Sequence, residues 1–427
     1  MINEVRYLSR NFALIGLICY LVGSSPVNAQ ENEKVDTAKV QVGYNKPLDS
    51  QMVKDSIDVQ TDVSPLDIGS GRGIFILSSD KLMQLRILGS VRALLNYSGQ
   101  ELQNMGTFNP YEVPTNTNGI SPNFYADLAQ TRIGFEVTRR TKRLGDIFIR
   151  IETDFKSSTN NLRIRHAYGQ SGKYLIGKTW SLFSNVSFTP ATVSTDGAVG
   201  SVFLRTPQIR YTGKIKEIVG FAAAIEYSTP DLEIPDSLNV TLLQVIPDFT
   251  GRFTYKVGSL SLQAAGVITT MSGRDDEGNI NYSIGLGASV SGKFNISDKE
   301  NLLFTFTTGR AISHFLDVFS GKLVDASYNP DSQQFTATIS TAGYVSYSRD
   351  WKHNISSSVS AGIGSLQVRD YQADNSFHWG YNLLANAFWQ PVDGARLGAE
   401  FAYGQRFNKY GSRGMASRVS MLLYYDF

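Results

Sequence analysis

The chain ends on RVSMLLYYDF, residues 418–427, a stretch in which hydrophobic side chains alternate up to the last position. One face of this stretch carries Phe427, Tyr425, Leu423, Met421 and Val419, and the other carries Asp426, Tyr424, Leu422 and Ser420. A period of two is typical of a β-strand with different environments on its two faces. Because chain ends usually fray into polar tails, a hydrophobic strand at this position predicts a partner that holds it.

The N-terminus has the pattern of an export signal. Arg6 and Arg10 precede a run of about a dozen apolar residues, and small and polar residues follow as far as Ala29. This order predicts a signal peptide over residues 1–29, cleaved after Ala29. A membrane anchor is the alternative, but the run is shorter than the roughly 20 residues that a spanning helix needs. The single cysteine, Cys19, lies in the run, so we predict a mature chain without disulfides or thiolate ligands.

The composition favours a membrane β-barrel. The 427 residues include 38 glycines, 21 tyrosines and 24 phenylalanines, while only 18 % of the residues are charged. Many aromatic residues and few charges in an exported chain are typical of a barrel with aromatic girdles at both membrane interfaces. A soluble secreted β-sandwich or solenoid is the alternative that composition leaves open. After residue 30 no apolar run approaches about 18 residues, so we predict no membrane-spanning helix.

The mature chain divides at Gly73. Residues 30–73 are polar and have no sustained period, which predicts a flexible or weakly helical periplasmic extension. Residues 74–427 are predicted to form the barrel. In the first strand one face reads Leu85, Ile87, Gly89, Val91, Ala93, Leu95 and Tyr97, and the other reads Arg86, Ser90, Arg92 and Asn96. This is the alternation of a wall with lipid outside and a wet lumen inside.

The same alternation recurs around short turns rich in Gly, Asp or Pro, as hairpins require. Such turns are RRTKRLGD at 139–146, TGKIKE at 212–217 and QPVDGA at 390–395. Longer polar stretches lie at 98–127, 181–205, 229–247, 272–279, 311–333, 370–376 and 408–414. We count sixteen strands, starting near residues 84, 128, 146, 161, 173, 206, 218, 248, 260, 280, 301, 334, 354, 377, 395 and 415.

Sixteen strands predict an all-β fold, a closed antiparallel barrel around an aqueous channel. An even number of strands, with short turns on the periplasmic side, places both termini in the periplasm. The last strand must pair with the first because lipid tolerates no open edge. Phe427 then lies at the periplasmic interface. A terminal strand that ends in Phe also resembles the signal recognised by the outer-membrane barrel assembly machinery.

Arginine is frequent on the predicted inner face of the early strands. The inward positions include Arg86, Arg92, Arg132, Arg150, Arg163, Arg165 and Arg210, together with Glu136, Glu152 and Asp154. A charged side chain that faces lipid at the bilayer midplane costs about 2 to 4 kcal/mol, which favours the inward orientation. Two interpretations remain open. The arginines select anions, or they pair with the acids on neighbouring strands and make the wall rigid. We predict a net positive constriction.

The stretch NLRIRHAYGQSGKYLIGKTWSLFSN, residues 161–185, resembles the DcaP-like family of outer-membrane porins. The matching positions are Arg163, Arg165, His166, Ala167, Tyr168 and Gly169, followed by Gly177, Thr179, Trp180, Ser181 and Phe183. The stretches at 130–155 and 207–212 also look like this family. Lys178 stands where the family has Gln and adds a base near the predicted constriction.

The resemblance implies a homotrimeric porin of sixteen strands in the bacterial outer membrane, with an arginine-bearing constriction. It also implies passage of small anions such as dicarboxylates, with phosphate-selective porins as a neighbouring possibility. In porins of this size the third loop commonly folds into the lumen. Here that loop spans roughly 181–205, and its charged residues are Asp196 and Arg205.

Other functions have weaker support. The four histidines are scattered, and the chain contains neither HExxH nor GxSxG. The acidic run at 275–277 fits a solvated hairpin loop. Forty basic residues nearly balance 38 acidic ones, which gives no support to a nucleic-acid partner.

We expect no enzyme activity and no cofactor. The hypotheses are a passive porin, a plugged barrel with an adhesive or structural role, and, third, a barrel enzyme.

Overall fold

The computed structural model describes residues 41–44, 64–69, 71–116, 121–157, 161–216, 218–235, 238, 240–274, 277–278, 280–332 and 334–427. The predicted signal peptide, residues 1–29, lies outside them. Within the described residues sixteen antiparallel strands form a closed barrel, as predicted. These strands are β1 Met83–Ser98, β2 Arg132–Thr141, β3 Gly145–Asp154, β4 Arg163–Ser171, β5 Tyr174–Trp180, β6 Arg205–Lys216, β7 Val219–Glu226, β8 Asp248–Val257, β9 Leu260–Arg274, β10 Ile280–Ser297, β11 Glu300–Arg310, β12 Ile339–Asp350, β13 Ile355–Leu366, β14 Phe377–Val392, β15 Ala395–Asn408 and β16 Arg413–Asp426.

Shorter elements accompany the barrel. The additional strands are Gln41–Tyr44, Ile74–Leu77, Asn123–Asp127, Thr241–Leu243, Ala326–Asn329 and Gln334–Ala337. Three 3₁₀ turns, counted over the same described part of the chain, span Pro110–Glu112, Val186–Phe188 and Ser313–Phe315. No helix in this part of the chain is long and apolar enough to cross a membrane.

Fourteen of the sixteen predicted strand starts lie within two residues of the described ones, and two differ more. The second strand begins at Arg132 rather than near 128, after the separate strand Asn123–Asp127 that also pairs with β1. The twelfth begins at Ile339 rather than near 334. Residues Gln334–Ala337 pair instead with Ala326–Asn329 in a hairpin of their own.

The barrel closes where the C-terminal strand meets the first strand. Strand β16 pairs with β1 in a register that places Met421 opposite Leu95. Beyond it, Phe427 and Gly89 exchange two backbone hydrogen bonds of 2.9 Å each. The ring of Phe427 lies over Gly89, where a Cβ atom would approach it to 2.3 Å. The predicted partner of the hydrophobic terminus is therefore β1, and the glycine makes room for the terminal ring.

The predicted alternation of faces is confirmed along both strands of this seam. In β16 the side chains of Val419, Met421 and Tyr425 are exposed on the outer surface, whereas Leu422 is buried inside. In β1, Arg92 is completely buried on the inner side. Exposed apolar residues on the outer face and buried polar residues on the inner face match a wall between lipid and a polar interior.

The loop between β5 and β6, residues 181–204, folds into the barrel, and we call it the inward loop. Its start is fixed by Glu226 on β7, whose carboxylate accepts a hydrogen bond from the Leu182 backbone at 2.9 Å. Its middle is fixed by the buried Glu400 on β15, which accepts from the backbone N–H groups of Val193 and Ser194 at 2.9 and 3.0 Å. Two wall carboxylates thus hold the inward loop across the lumen.

A glycine on the opposite wall allows the inward loop to lie close to β13. The backbone of Val199 packs directly on Gly362, where an added Cβ atom would lie 2.4 Å from the Val199 carbonyl oxygen. Farther along, Val202 forms an isolated bridge with Leu316 in the loop after β11. The inward loop and this second loop therefore pack together inside the barrel, with Phe183 stacked edge-on against Phe315.

The structure differs from the predicted flexible extension over residues 64–69 and 71–73. Ser64–Asp67 forms a tight turn, which we call the N-terminal turn, with Asp67 N donating to the Ser64 carbonyl at 2.9 Å. The chain then leads into Ile74–Leu77, which pairs with β1. The inward-facing Arg86 of β1 donates to the backbone carbonyls of Gly69 and Arg72. A polar segment without a hydrophobic period gives no local signal for this structure. The segment is held by arginines of the barrel wall, which are distant in the sequence.

Candidate functional site in the barrel lumen

Glu152 on β3 is the centre of the arginine-rich wall. Only 1 % of its side chain is exposed, and Arg165 Nε donates to its Oε1 at 2.7 Å. Its other oxygen accepts a hydrogen bond from Arg150, and Arg132 Nη1 lies 4.0 Å from Oε1. Three guanidinium groups therefore share one carboxylate.

The neighbouring acids pair with the other predicted arginines. Asp154 receives two hydrogen bonds from Arg163, at 2.9 and 2.7 Å, in the bidentate geometry that suits a guanidinium and a carboxylate. Arg86 donates to Glu136 at 2.7 Å. Ion pairs between neighbouring strands, one of the two interpretations left open by the sequence, are thus present in this wall.

Two predicted channel residues, Arg92 and Arg210, have other surroundings. Arg92 lies 3.6 Å from Asp426 at the seam of the barrel and donates to the carbonyl of Leu66 at 2.7 Å. Arg210 donates to Gln208 on its own strand and to the carbonyl of Trp180.

Lys178 does not join the arginine-rich wall. It pairs with Ala167 and Pro207 in the sheet. It also shares a face of β5 with the exposed Tyr174 and Ile176. Along Tyr174, Ile176 and Lys178 the period of two places Lys178 on the outer side of β5, outside the lining of the lumen cavity but near the charges of Arg163 and Arg205. Its role near the constriction stays a prediction.

A polar cavity of about 160 Å³ lies between the N-terminal turn, the arginine-rich wall and the inward loop. We call it the lumen cavity. Its lining includes six basic side chains, Arg92, Arg132, Lys156, Arg163, Arg165 and Arg205, and three acidic ones, Asp154, Asp196 and Asp317.

Burial and the nearby carboxylate of Asp196 raise the pKa of Asp317 well above its usual range. That carboxyl therefore offsets less of the positive charge than its formal charge suggests.

Arg205 differs from the other arginines of the lumen cavity. Its guanidinium carbon lies 3.4 Å from the ring centroid of Trp180, in a cation–π stack. Its Nε has no hydrogen-bond partner, and no carboxylate among the described residues pairs with it. The sequence placed Arg205 in a loop. Only the register of β5 and β6, which pairs Trp180 with Arg205, brings the two together.

The remaining motif residues pack around the same strands. His166 Nδ1 lies 3.0 Å from Thr179 Oγ1, and its ring meets those of Tyr168 and Trp180 edge-on. Gly177 has a φ of +130°, and a Cβ atom there would lie 2.3 Å from the Ala167 carbonyl. A glycine is required at this position for both reasons. Gly169 pairs with Ile176 and Ile149 in the sheet, and Phe183 is fully buried in the inward loop.

Comparison with a family model then assigns this architecture. The model for the DcaP outer membrane protein matches residues 79–427, the entire barrel and its loops. The chain belongs to the DcaP outer membrane protein family. The family resemblance inferred from the motif at 161–185 is thereby confirmed, and membership places this DcaP-family protein in the outer membrane.

Solved structures share the fold at low sequence identity. The outer membrane channel DcaP of Acinetobacter baumannii aligns with a TM-score of 0.71 and 21 % identity, over 81 % of this chain and 97 % of that chain. The anion-selective porin from Comamonas acidovorans aligns with a TM-score of 0.55 and 8 % identity, over 81 % of this chain and 100 % of that chain. OmpT of Vibrio cholerae in its trimer form aligns with a TM-score of 0.52 and 13 % identity, over 81 % of this chain and 100 % of that chain. No curated protein matches the sequence.

A second polar cluster of this DcaP-family barrel lies under the loop after β11. His314 Nδ1 lies 2.7 Å from Asp325 Oδ2, and its Nε2 lies 3.0 Å from Ser228 Oγ. Although this is the order of a Ser-His-Asp triad, the Ser228 hydroxyl also donates to Asp248, and all four side chains are buried. With its hydroxyl proton committed to a carboxylate and no exposed face, Ser228 is not placed to attack a substrate. The cluster instead ties three segments together.

We expect His314 to stabilise the protein mainly in its charged form. Burial by itself would lower the pKa of His314, but Asp325, with Asp248 and Asp231, outweighs it and raises the pKa above 6.5. The stabilisation is therefore complete below about pH 6.5 and is lost as the pH rises through the higher folded-state pKa. Charged hydrogen bonds of this kind contribute about 2 kcal/mol.

The variant His314→Gln measures this contribution. Urea unfolding in phosphatidylcholine vesicles should show a large loss of stability at pH 5.5 and a smaller one at pH 9. The exposed His353, replaced in the same way, is the control and should show little loss at either pH. An equal loss for His314→Gln at both values would contradict a charged His314.

Proposed function

We propose that this protein is a passive outer-membrane porin for small hydrophilic anions, with dicarboxylate-like solutes as the class that its lumen fits best. The lumen cavity, bounded by the arginine-rich wall and the inward loop, is the proposed selectivity site. The solute gradient drives passage, so the proposed function requires no cofactor and no catalytic step. By analogy with other porins we also propose a homotrimer.

The observation that carries the proposal is the unpaired guanidinium of Arg205. The wall arginines around Glu152 and Asp154 each lie within 4.0 Å of a wall carboxylate, although three of them share Glu152. Arg205 has no such partner in the part of the chain that the structure describes, and it is held over Trp180 at the lumen cavity. A fixed, uncompensated guanidinium attracts anions and can bind a carboxylate through two parallel hydrogen bonds. Its ring stack keeps it in place without neutralising it.

The test is the reversal potential of the refolded protein in a planar bilayer under a salt gradient. We expect a preference for anions, with conductance steps in groups of three. A unit charge about 7 Å from a passing ion in a wet lumen contributes about 0.6 kcal/mol, which is about threefold in permeability. Because the charge attracts an anion and repels a cation by the same amount, Arg205→Ala should lower the anion-to-cation permeability ratio by about sevenfold.

The matched control is Arg349→Ala. Arg349 also lies on a strand and stacks on a tryptophan, Trp351, but it is half exposed and pairs with Glu300 outside the lumen cavity. Replacing Arg349 should leave the anion-to-cation permeability ratio unchanged. A wild-type channel that prefers cations would refute the arginine filter and leave a porin of other selectivity.

A second candidate, a plugged barrel with an adhesive or structural role, is favoured by one observation. The inward loop, the loop after β11 and the N-terminal turn all pack inside the barrel. A correctly folded wild-type protein with no conductance under any salt gradient would favour this candidate over the porin.

A further inference from the structure

We infer that Asp67 acts as a tethered carboxylate ligand, occupying part of the lumen cavity's arginine cluster in competition with a diffusing carboxylate. This inference deepens the proposed function and rests on it. It assigns residues 64–67, outside the barrel wall, a direct role in controlling access to the cavity.

The contacts of Asp67 are those of a bound carboxylate. Its Oδ1 lies 3.0 Å from Arg132 Nη1 and 3.9 Å from Arg165 Nη2. Only 6 % of the side chain is exposed. The carbonyl oxygen of Leu66 adds a hydrogen bond from Arg92 at 2.7 Å. One short segment thus contributes two oxygen ligands to three arginines of the same cluster.

The turn that carries Asp67 is built to present it. Pro65 follows Ser64 at the second position of the turn, where its fixed φ favours the bend. The Ser64 backbone N–H donates to Asp67 Oδ2 at 2.9 Å. One carboxylate oxygen therefore stabilises the turn, and the other faces the arginines.

The charge of the cluster explains why an added carboxylate is held there. Arg132 and Arg165 share Glu152 with Arg150, so wall acids alone leave an excess of positive charge. Asp67 reduces that excess from outside the wall. A dicarboxylate in the lumen cavity would offer the same oxygen chemistry to the same guanidinium groups.

The tether is anchored at its other end by bonds that do not involve Asp67. Arg86 donates to the carbonyls of Gly69 and Arg72, and Arg72 forms an ion pair with Asp393 in the turn between β14 and β15. The turn can therefore leave the arginines while the chain stays attached. A group tethered by a short flexible linker acts at a millimolar effective concentration, so a solute competes with it only at comparable concentrations.

The experiment measures block of the chloride current by succinate, with the uncharged succinamide as the matched ligand control. In Asp67→Asn, which keeps the side-chain size and removes the charge, the apparent Kd of succinate should fall about tenfold because the tethered competitor is lost. The anion preference should also increase. Asp331→Asn, an exposed loop carboxylate, should behave like the wild type.

A second measurement does not depend on changing Asp67. In Ser64→Cys, with Cys19 replaced by Ser, the thiol lies at the lumen cavity and reports release of the turn. Its modification by a sulfonate-bearing methanethiosulfonate reagent should become faster with succinate and stay unchanged with succinamide.

The outcomes separate the two hypotheses. An anion-selective wild type whose succinate Kd is the same in Asp67→Asn, with no change in Ser64→Cys modification, would overturn the tethered ligand and leave the porin. Absence of anion preference and of succinate block in every variant would overturn both.

Discussion

Replacing Glu152 with Gln should lower the free energy of unfolding of the barrel by about 3 to 5 kcal/mol. The buried carboxylate contacts Arg150 and Arg165 directly and faces Arg132. Glutamine fills the same space but removes the charge that compensates three guanidinium groups. Breaking one partner of a buried ionic cluster is costly because the remaining charges stay desolvated. Urea unfolding in lipid vesicles, followed by tryptophan fluorescence, measures the loss.

The control for this variant is Glu101→Gln. Glu101 lies exposed in the loop after β1, so its replacement should change the free energy by less than about 0.5 kcal/mol. If Glu152→Gln and Glu101→Gln unfold at the same urea concentration as the wild type, the ion-pair network contributes nothing to stability. Glu152→Gln should also strengthen any anion preference, since it leaves one more positive charge at the lumen cavity.

Gly362→Val should displace the inward loop from the wall and increase the single-channel conductance. The new Cβ would lie 2.4 Å from the carbonyl oxygen and 2.7 Å from the amide nitrogen of Val199, distances that backbone atoms cannot accommodate in place. Forcing atoms into a packed interior costs about 1 to 3 kcal/mol. The barrel itself should persist because β13 keeps its pairing with β12 and β14.

Gly251→Val isolates the effect of the close contact. Gly251 is also a strand glycine, on β8, but no atom lies within 4 Å of the position that its Cβ would take. Both variants replace glycine with the same residue, so intrinsic strand preference cancels between them. Unchanged conductance in Gly362→Val would indicate that the inward loop does not limit the current.

The strands could be predicted because the signal is local. Each wall residue faces either outward or inward, and the period of two repeats through β16 regardless of what lies across the sheet. Strand ends were less predictable. The turn expected at 212–217 is shorter than its polar sequence suggests, because β6 continues to Lys216. Backbone pairing with β7 tolerates charged side chains at these positions.

The site could be predicted only in part, because its partners come from distant segments. Alternation identified the inward arginines, but not Asp67, which lies 65 residues from Arg132 in a stretch without period. Arg205 was expected in a loop that folds into the lumen, but its stack on Trp180 is recognisable only once the register of β5 and β6 is known. Ser228 and His314, 86 residues apart, are likewise joined by loop packing that leaves no pattern in the sequence.

The seam of the barrel limits what can be fused to this protein. Phe427 occupies the edge of β1 at Gly89, and the next stretch of the same edge, from Ile87 to Gln84, is taken by Ile74–Leu77. On β1, only Leu88 lies between the residue that binds Phe427 and the residues that pair with Ile74–Leu77. A peptide tag added after Phe427 could not continue the strand and would have to leave the sheet at once. An affinity tag or fluorescent reporter is therefore better inserted in an exposed loop, such as the turn around Gly411.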